Sequence, residues 1–279
     1  MERRLGGMGW RRDLPDVQDF TIETPSVKVV LAKAVTPSVS PAAVDLRQWC
    51  SPIEDQGDLG ACTAHAAVGL MEYFERRAFG KHIDASRLFV YKVTRDLMGV
   101  KGDTGAELRN AMQALATFGA PPEKYWPYHP ADFEKEPSAF CYQFAADFKS
   151  IQYFRLDPAG TPPAAALQKV RETLAAGLPS MFGFTVYSSI PALGPGNGNI
   201  PFPGRSDRQE GGHAIMAVGY DDHRVIGSDT GALLIRNSWG TGWGASGYGW
   251  LPYRYVLSGL ATDFWSLVKA EFLDSDLFA

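Results

Sequence analysis

The chain has 279 residues, of which 45% are hydrophobic and 21% are charged, and its formal net charge is −4 at neutral pH. This length and composition are those of a globular protein with one large domain or two lobes on a shared core. The acidic balance argues against a nucleic-acid-binding protein, which usually carries a basic excess. No apolar run reaches the roughly 18 residues of a membrane span. We therefore expect neither a nucleic-acid nor a membrane partner.

Residues 1–43 differ in composition from the rest of the chain. Prolines recur along this stretch, and the short patch "VKVVLA" at 27–32 is typical of a β-strand. The composition predicts an extended N-terminal arm or short pro-segment, followed by a domain over 44–279. The arm begins without the apolar core of a secretory signal, so the default expectation is a cytoplasmic location.

Three later stretches have helical spacing. Residues 62–79 place apolar side chains on one face, which predicts a helix. Residues 105–118 predict a second helix that ends at Gly119, and residues 164–176 predict a third that ends at Gly177. The early part of the domain is therefore expected to be mainly helical.

The later part of the chain is typical of β-structure. Short apolar or β-branched runs are separated by glycine and aspartate: "SMFGFTVY", "HAIMAVGYDD", "ALLIRNSW" and "YGWLPYRYV". A Pro/Gly-rich loop spans 191–212, and loops of that length are usually functional or mobile. Helices followed by strands indicate an α+β fold.

Cys62 stands at the start of the first predicted helix. The positive end of a helix dipole lowers a thiol pKa and favours the reactive thiolate. A cysteine nucleophile also requires an imidazole partner and a third group that orients the imidazole ring. His213 and the amide of Asn237, both in the β-rich region, fit these needs. The backbone N–H of Cys62 and the side-chain amide of Gln56 fit the donors that an oxyanion requires.

The segments that carry these residues resemble the papain-like cysteine peptidases. They are "QGDLGACTA", "EGGHAIMAVGY" and "NSWGTGWGASGYG", and "VDLRQW" is similar to the family's mature N-terminal segment. His213 and Asn237 follow Cys62 by about 150 and 175 residues, against roughly 130–150 in the family, and the long loop before His213 accounts for the excess. The resemblance covers about residues 44–265.

The resemblance implies a papain-like two-lobed fold. A helical lobe is expected at about 55–165 and a β-barrel-like lobe at about 166–265, with the active-site cleft between them. It also implies roles for single residues. Cys62 resembles the nucleophile, His213 the general base and acid, Asn237 its orienting amide, and Gln56 the oxyanion-hole amide. The positions that match substrate-binding residues are Gly105, Ala106, Leu108, Gly183, Ala214 and Trp239.

The sequence departs from the family at its active-site disulfide. Leu59 stands where the family has a second cysteine, and the partner position falls near Asp103. Thr63 replaces the tryptophan that usually follows the nucleophile. Both halves of the disulfide are absent, which suits a reducing compartment. Several segments resemble bacterial members, and the arm is too short for the long helical inhibitor domain of plant and lysosomal members.

The resemblance predicts a cysteine endopeptidase that acts on polypeptides and takes a medium apolar side chain in S2. The Pro-rich, extended composition of the arm directly before "VDLRQW" predicts that the arm restrains this activity as a short pro-segment, which would make the protein a zymogen. No cofactor is implied, and no metal-binding spacing occurs. Two alternatives stay open: an acyltransferase or amidase with the same triad, and a catalytically silent peptide-binding module. Pairing of Cys50 with Cys141 also stays open. The remaining histidines, including His65, are expected at the surface or at helix ends.

Overall fold

A computed structural model describes residues 8–32, 40–146, 152–190 and 194–268. Parts of the predicted arm and of the predicted 191–212 loop lie outside these ranges, as does the end of the chain. The helices are α1 (Pro25–Leu31), α2 (Cys62–Phe79), α3 (Arg87–Leu97), α4 (Leu108–Phe118), α5 (Ala139–Ala145), α6 (Pro163–Ala175) and α7 (Tyr253–Leu257). The strands are β1 (Trp10–Arg11), β2 (Ala43–Asp45), β3 (Ala106–Glu107), β4 (Gln152–Arg155), β5 (Ser180–Tyr187), β6 (Gln209–Ile226), β7 (Asp229–Arg236), β8 (Tyr248–Pro252) and β9 (Ala261–Val268).

Helix α2 is the central element and has the predicted bounds. Most of its side chains are buried on every face, because it packs against β6 of the sheet as well as against α3 and α4. It ends at Gly80, which has φ +69° and closes the last turn with an N–H bond to the carbonyl of Arg76. The helix therefore carries Cys62 at the buried end of a rigid element.

The other two predicted helices are also present, with shifted limits. Helix α6 begins and ends one residue before the predicted 164–176. Helix α4 begins at Leu108 instead of 105, because Gly105 has φ +69° and the next two residues form β3. That short strand pairs in parallel with β1 of the arm.

The strand expected at 27–32 is wrong, because this segment forms α1. Pro25 occupies the first turn, and the carbonyl of Thr24 accepts the N–H of Lys28. Val27 and Val30 are buried on one side, whereas Val29 is 70% exposed. The spacing of the buried valines is helical, and it outweighs the preference of β-branched residues for strands.

The strands form an antiparallel sheet in the order β4-β9-β5-β6-β7-β8, with β2 also paired to β6. Helices and an antiparallel sheet confirm the α+β prediction, and the described strands do not close into a barrel. Strand β4 belongs to this sheet although it lies within the stretch expected to be the helical lobe. The division into an arm and two lobes stays a prediction.

The register of the sheet positions the predicted site residues. Strands β5 and β6 pair Gly183 with Ala214 and Phe184 with His213. Strands β6 and β7 pair Met216 with Arg236, so Asn237 follows at the same end of the sheet as His213. Among the described residues, no helix is long and apolar enough to cross a membrane.

Candidate active site

Cys62 is the first residue of α2, and it is fully buried. The backbone N–H groups of Gly9 and Ala214 lie close enough to its sulfur to lower the pKa of the thiol. Burial raises the pKa of the Cys62 thiol to about 11, although these donors oppose the shift. Ala214 is the residue after His213, so the start of α2 and strand β6 meet at this sulfur.

His213 is held by Asn237. Its Nε2 lies 2.7 Å from Oδ1 of Asn237, which makes Nε2 the donor to the amide oxygen. In the neutral ring Nδ1 is then the free acceptor, and it has no hydrogen-bond partner among the described residues. Burial lowers the pKa of His213 to about 4, opposed by the hydrogen bond to Asn237. The predicted base and its orienting amide are therefore in contact.

Trp239 covers this histidine. Its indole ring stacks on the imidazole of His213 with the ring centroids 4.4 Å apart and the planes 23° apart. Phe184 adds an edge contact at 6.0 Å. The Asn237 oxygen also accepts the N–H of Ser238 at 2.8 Å, so both the ring and the amide are fixed in orientation.

Gln56 is buried and its amide is fixed at both ends. Its Nε2 donates to the carbonyl of Leu59 at 2.9 Å, and its Oε1 accepts the hydroxyl of Ser238 at 2.6 Å. The Gln56 backbone N–H donates to the Ser238 carbonyl at 2.9 Å. The loop before Cys62 is thereby tied to the segment that carries Asn237.

Two residues of the arm occupy the space expected to bind substrate. The carbonyl of Gly9 accepts the N–H of Ala106 at 2.7 Å. A Cβ on Gly183 would lie 1.9 Å from the indole of Trp10, so the indole packs directly against that glycine. Of the other predicted substrate-binding residues, Leu108 begins α4 and is fully buried. Gly105, Ala106 and Gly183 therefore lie against Gly9 and Trp10.

Sequence reasoning missed several of these contacts. Nothing in the local pattern marks Trp10 as the side chain that would pack against Gly183. The role of Ser238 in fixing Gln56 was also not foreseen. His65, expected at the surface or at a helix end, lies in the first turn of α2 but is buried, and its ring contacts Tyr128 edge-on at 4.8 Å. Cys50, Cys62 and Cys141 are all free, so the open pairing of Cys50 with Cys141 does not occur.

A buried cysteine at a helix start, beside a histidine held by an amide, is the arrangement of cysteine proteases. Comparison with known proteins agrees. The family described as "Papain family cysteine protease" matches residues 40–263, and the chain belongs to that family. It is a cysteine endopeptidase, a hydrolase acting on peptide bonds.

Two groups of known proteins are similar over most of the chain. An uncharacterized peptidase C1-like protein of Acanthamoeba polyphaga mimivirus is 31% identical over 92% of this chain and 85% of its own length. Cathepsin K of Gallus gallus is 29% identical over 76% of this chain and 58% of its own length. Among solved structures, xylellain, a cysteine protease from Xylella fastidiosa, superposes with a TM-score of 0.76 and 36% identity, covering 96% of this chain and 99% of its own.

Proposed function

We propose that the endopeptidase is held latent by its own N-terminal arm, and that Cys62, His213, Asn237 and Gln56 carry the reaction once the arm leaves. The observation that carries the proposal is the position of Gly9, whose carbonyl accepts the Ala106 N–H at 2.7 Å and whose own N–H lies beside the Cys62 sulfur. This position puts the arm beside the atom that would attack the substrate. Arm and substrate therefore compete for one site.

The chemistry follows from the geometry of the four residues. The Cys62 proton moves to Nδ1 of His213, and the sulfur attacks the scissile carbonyl carbon. The oxyanion is stabilised by the N–H of Cys62 and the amide of Gln56. His213 then gives its proton to the leaving amine as the C–N bond breaks, which leaves a thioester on Cys62. Water, deprotonated by His213, breaks the thioester and releases the acid.

The direction of the arm supports inhibition rather than cleavage. From Cys62 towards Gly183 the arm runs forward in sequence, from Gly9 to Trp10. A substrate with its P1 residue at Cys62 and its P2 residue at Gly183 would run backward in sequence along the same path. The arm backbone is thus reversed relative to that substrate, so its peptide bonds do not present their carbonyls to Cys62 in the productive order.

In the covered site, burial also favours the uncharged forms of Cys62 and His213. Cys62 and His213 are both fully buried. Burial raises the pKa of the thiol and lowers the pKa of the imidazole, which favours a neutral pair over a thiolate with an imidazolium. Exposure to water on release of the arm would favour the charged, nucleophilic pair.

A time course tests the proposal. Purified full-length chain is mixed with a fluorogenic dipeptidyl substrate that bears an apolar P2 residue, under reducing conditions, while the intact mass of the protein is followed. We expect a low initial rate that rises as the arm is released or removed. Full activity at the first time point with an intact mass would contradict latency.

The arm is anchored beyond Trp10 by a buried carboxyl pair. The N–H of Asp13 donates to Oδ2 of Asp263 at 2.9 Å, and the Asp13 carboxyl accepts the indole N–H of Trp265 at 2.7 Å. Asp263 has φ +60°, a strained conformation for a residue other than glycine. Arg155 bonds Asp263 and lies 3.8 Å from Asp13. Around this pair stand further charged groups: Arg12, Asp19, Arg109 and Asp157.

This anchor predicts that latency weakens as the pH rises. Burial, together with the nearby Asp263, raises the pKa of Asp13 to about 7, whereas a solvated aspartate titrates near about 3.9. Between these values the docked arm holds a proton that the released arm does not. Docking therefore weakens by up to about tenfold per pH unit across this window, and this contribution is lost once docked Asp13 ionises above pH 7. Initial rates of intact protein at pH 5 to 8 measure the effect.

The variant Asp13→Asn distinguishes the effect of Asp13 ionisation on the pH dependence of the rate from that of the titration of Cys62 and His213. The amide keeps an oxygen acceptor for the Trp265 indole but carries no charge at any of these pH values. We expect the variant to stay latent at pH 8, where the parent opens. Equal pH profiles for the parent and Asp13→Asn would contradict the anchor.

We also propose a cytoplasmic location and an S2 site that accepts an apolar side chain. The free thiols are those expected of a protein in a reducing compartment, which supports the cytoplasmic expectation. The Trp10 indole against Gly183 supports an S2 site wide enough for a large apolar side chain. A P2 scan with the activated enzyme, comparing alanine, leucine and phenylalanine, tests this: the fastest turnover is expected with the larger residues.

A further inference from the structure

A chain of hydrogen bonds joins the loop before Cys62 to the loop that carries Gly105. The Asp103 carboxylate accepts the N–H of Gly60 at 3.0 and 3.1 Å, and it accepts the hydroxyl of Tyr91 at 2.5 Å. The Tyr91 oxygen in turn accepts the N–H of Gly105 at 3.2 Å. Asp103 stands near the position expected for one half of the missing disulfide, and Gly60 directly follows Leu59, which replaces the other half.

This chain of bonds is anchored in helix α3. Tyr91 lies on that helix and is fully buried. The Arg95 guanidinium packs over the Tyr91 ring at 4.5 Å and donates to the Gly102 carbonyl at 2.7 Å. Burial, together with the bond to Asp103, raises the pKa of Tyr91, so the phenol keeps its proton and remains a donor. Both ends of the segment from Gly102 to Gly105 are therefore attached to one rigid helix.

The two joined loops are the walls of a channel that is one backbone wide. Gly9 of the arm lies between them. A Cβ on Gly9 would come within 1.9 Å of the Gly60 carbonyl oxygen, and a Cβ on Gly105 would come within 2.1 Å of the Gly9 carbonyl oxygen. The bonds of Asp103 and Tyr91 hold Gly60 and Gly105, so they set the width of this channel.

We infer that Asp103 and Tyr91 are positioning residues for the protease reaction, which hold the Gly60 and Gly105 walls at the separation that admits one substrate backbone beside Cys62. They replace the missing disulfide by hydrogen bonds to a charged acceptor, which are stronger than neutral ones. The link needs no oxidant. The inference rests on the proposed roles of Cys62 and Gly105, and it goes beyond them by assigning the residues that set their spacing.

The test compares Tyr91→Phe, Asp103→Leu and Asp103→Asn in full-length protein that also carries Trp10→Ala, so that arm docking does not compete with substrate. Asp58→Asn is the matched control, because Asp58 is an exposed carboxylate in the same loop as Gly60. Two substrates are used: a dipeptidyl amide with a P2 residue, and a small acyl ester without one.

Tyr91→Phe removes the acceptor for Gly105 and leaves the Asp103–Gly60 bond. We expect it to raise KM for the dipeptidyl substrate by about 3- to 10-fold, with kcat and the small ester nearly unchanged. Asp103→Leu removes the hydrogen bonds of Asp103 to both Gly60 and Tyr91. We therefore expect it to raise KM and to lower kcat, each by about 10-fold or more. Asp103→Asn keeps one acceptor oxygen and recovers most of the loss, and Asp58→Asn matches the parent.

Backbone amide exchange gives a readout that does not depend on catalysis. Exchange of the Gly60 and Gly105 amides, followed by NMR, is expected to accelerate in Asp103→Leu, and that of Gly105 alone in Tyr91→Phe. Parental KM and parental exchange in Tyr91→Phe would overturn the inference. The inference would also be overturned if the variants lost the same fraction of activity on both substrates and differed from the parent otherwise only by a lower Tm. If the parent hydrolyses neither substrate, the proposed function fails, and the exchange rates still decide the positioning role.

Discussion

Replacing Cys62 with alanine is expected to abolish peptide hydrolysis and covalent labelling by an epoxide thiol inhibitor. The other residues of the site have no second nucleophile to offer, because His213 and Asn237 act only on a proton and on ring orientation in the proposed mechanism. Removal of the nucleophile from a covalent hydrolase lowers kcat by about 10⁶-fold. The measurement is initial rate and intact mass after inhibitor treatment, in the Trp10→Ala protein, whose site is expected to be open.

The chain offers two matched controls for this substitution. Cys50 and Cys141 are also free and buried, but their thiols donate to the backbone carbonyls of Leu46 and Tyr125. Cys50→Ala and Cys141→Ala are therefore expected to keep both the activity and a single inhibitor adduct. An adduct that persists in Cys62→Ala, or that is lost in either control, would assign the nucleophile elsewhere.

Trp10→Ala is expected to convert the latent chain into an enzyme that is active from the first time point with its mass intact. The Trp10 indole packs against Gly183 and approaches Gly212. Loss of this partly buried ring removes about 2 kcal/mol of apolar contact from the docked arm. That amount shifts the docking equilibrium roughly 30-fold towards the open form. The initial rate of intact protein measures the shift.

Leu14→Ala is the matched control in the same arm. Leu14 is 74% exposed, so truncating it removes little contact with the domain, and the variant should keep the parental lag. If Trp10→Ala shows the same lag as the parent, the arm does not restrain the site through this ring. A lag that ends as mass is lost from the N-terminus in the parent alone would identify cleavage of the arm as its natural release.

The spacing of apolar residues in the sequence predicted an element correctly where its buried side chains recur at one regular interval. The apolar spacing of α2 and the β-branched run of β5 predicted both elements with their correct limits, because each buries a regular set of side chains. The same reasoning failed at α1. Its valine-rich sequence is typical of a strand, but the buried valines recur at helical spacing. This reasoning also missed α3, whose buried face includes charged residues such as Arg87, which pairs with Glu72.

The sequence by itself determined the class of the site. Gln56, Cys62, His213 and Asn237 lie in short motifs whose residue types fit the chemistry of a cysteine protease, so the sequence alone predicts them as one site. Only the tertiary structure decided which residues of the arm lie beside Gly105, Ala106 and Gly183, and which side chains join the loops of Gly60 and Gly105. The hydrogen bonds from Ala106 to the Gly9 carbonyl and from Gly60 to Asp103 join residues far apart in the chain. Such contacts depend on how the arm and the loops pack in three dimensions, and no local spacing encodes them.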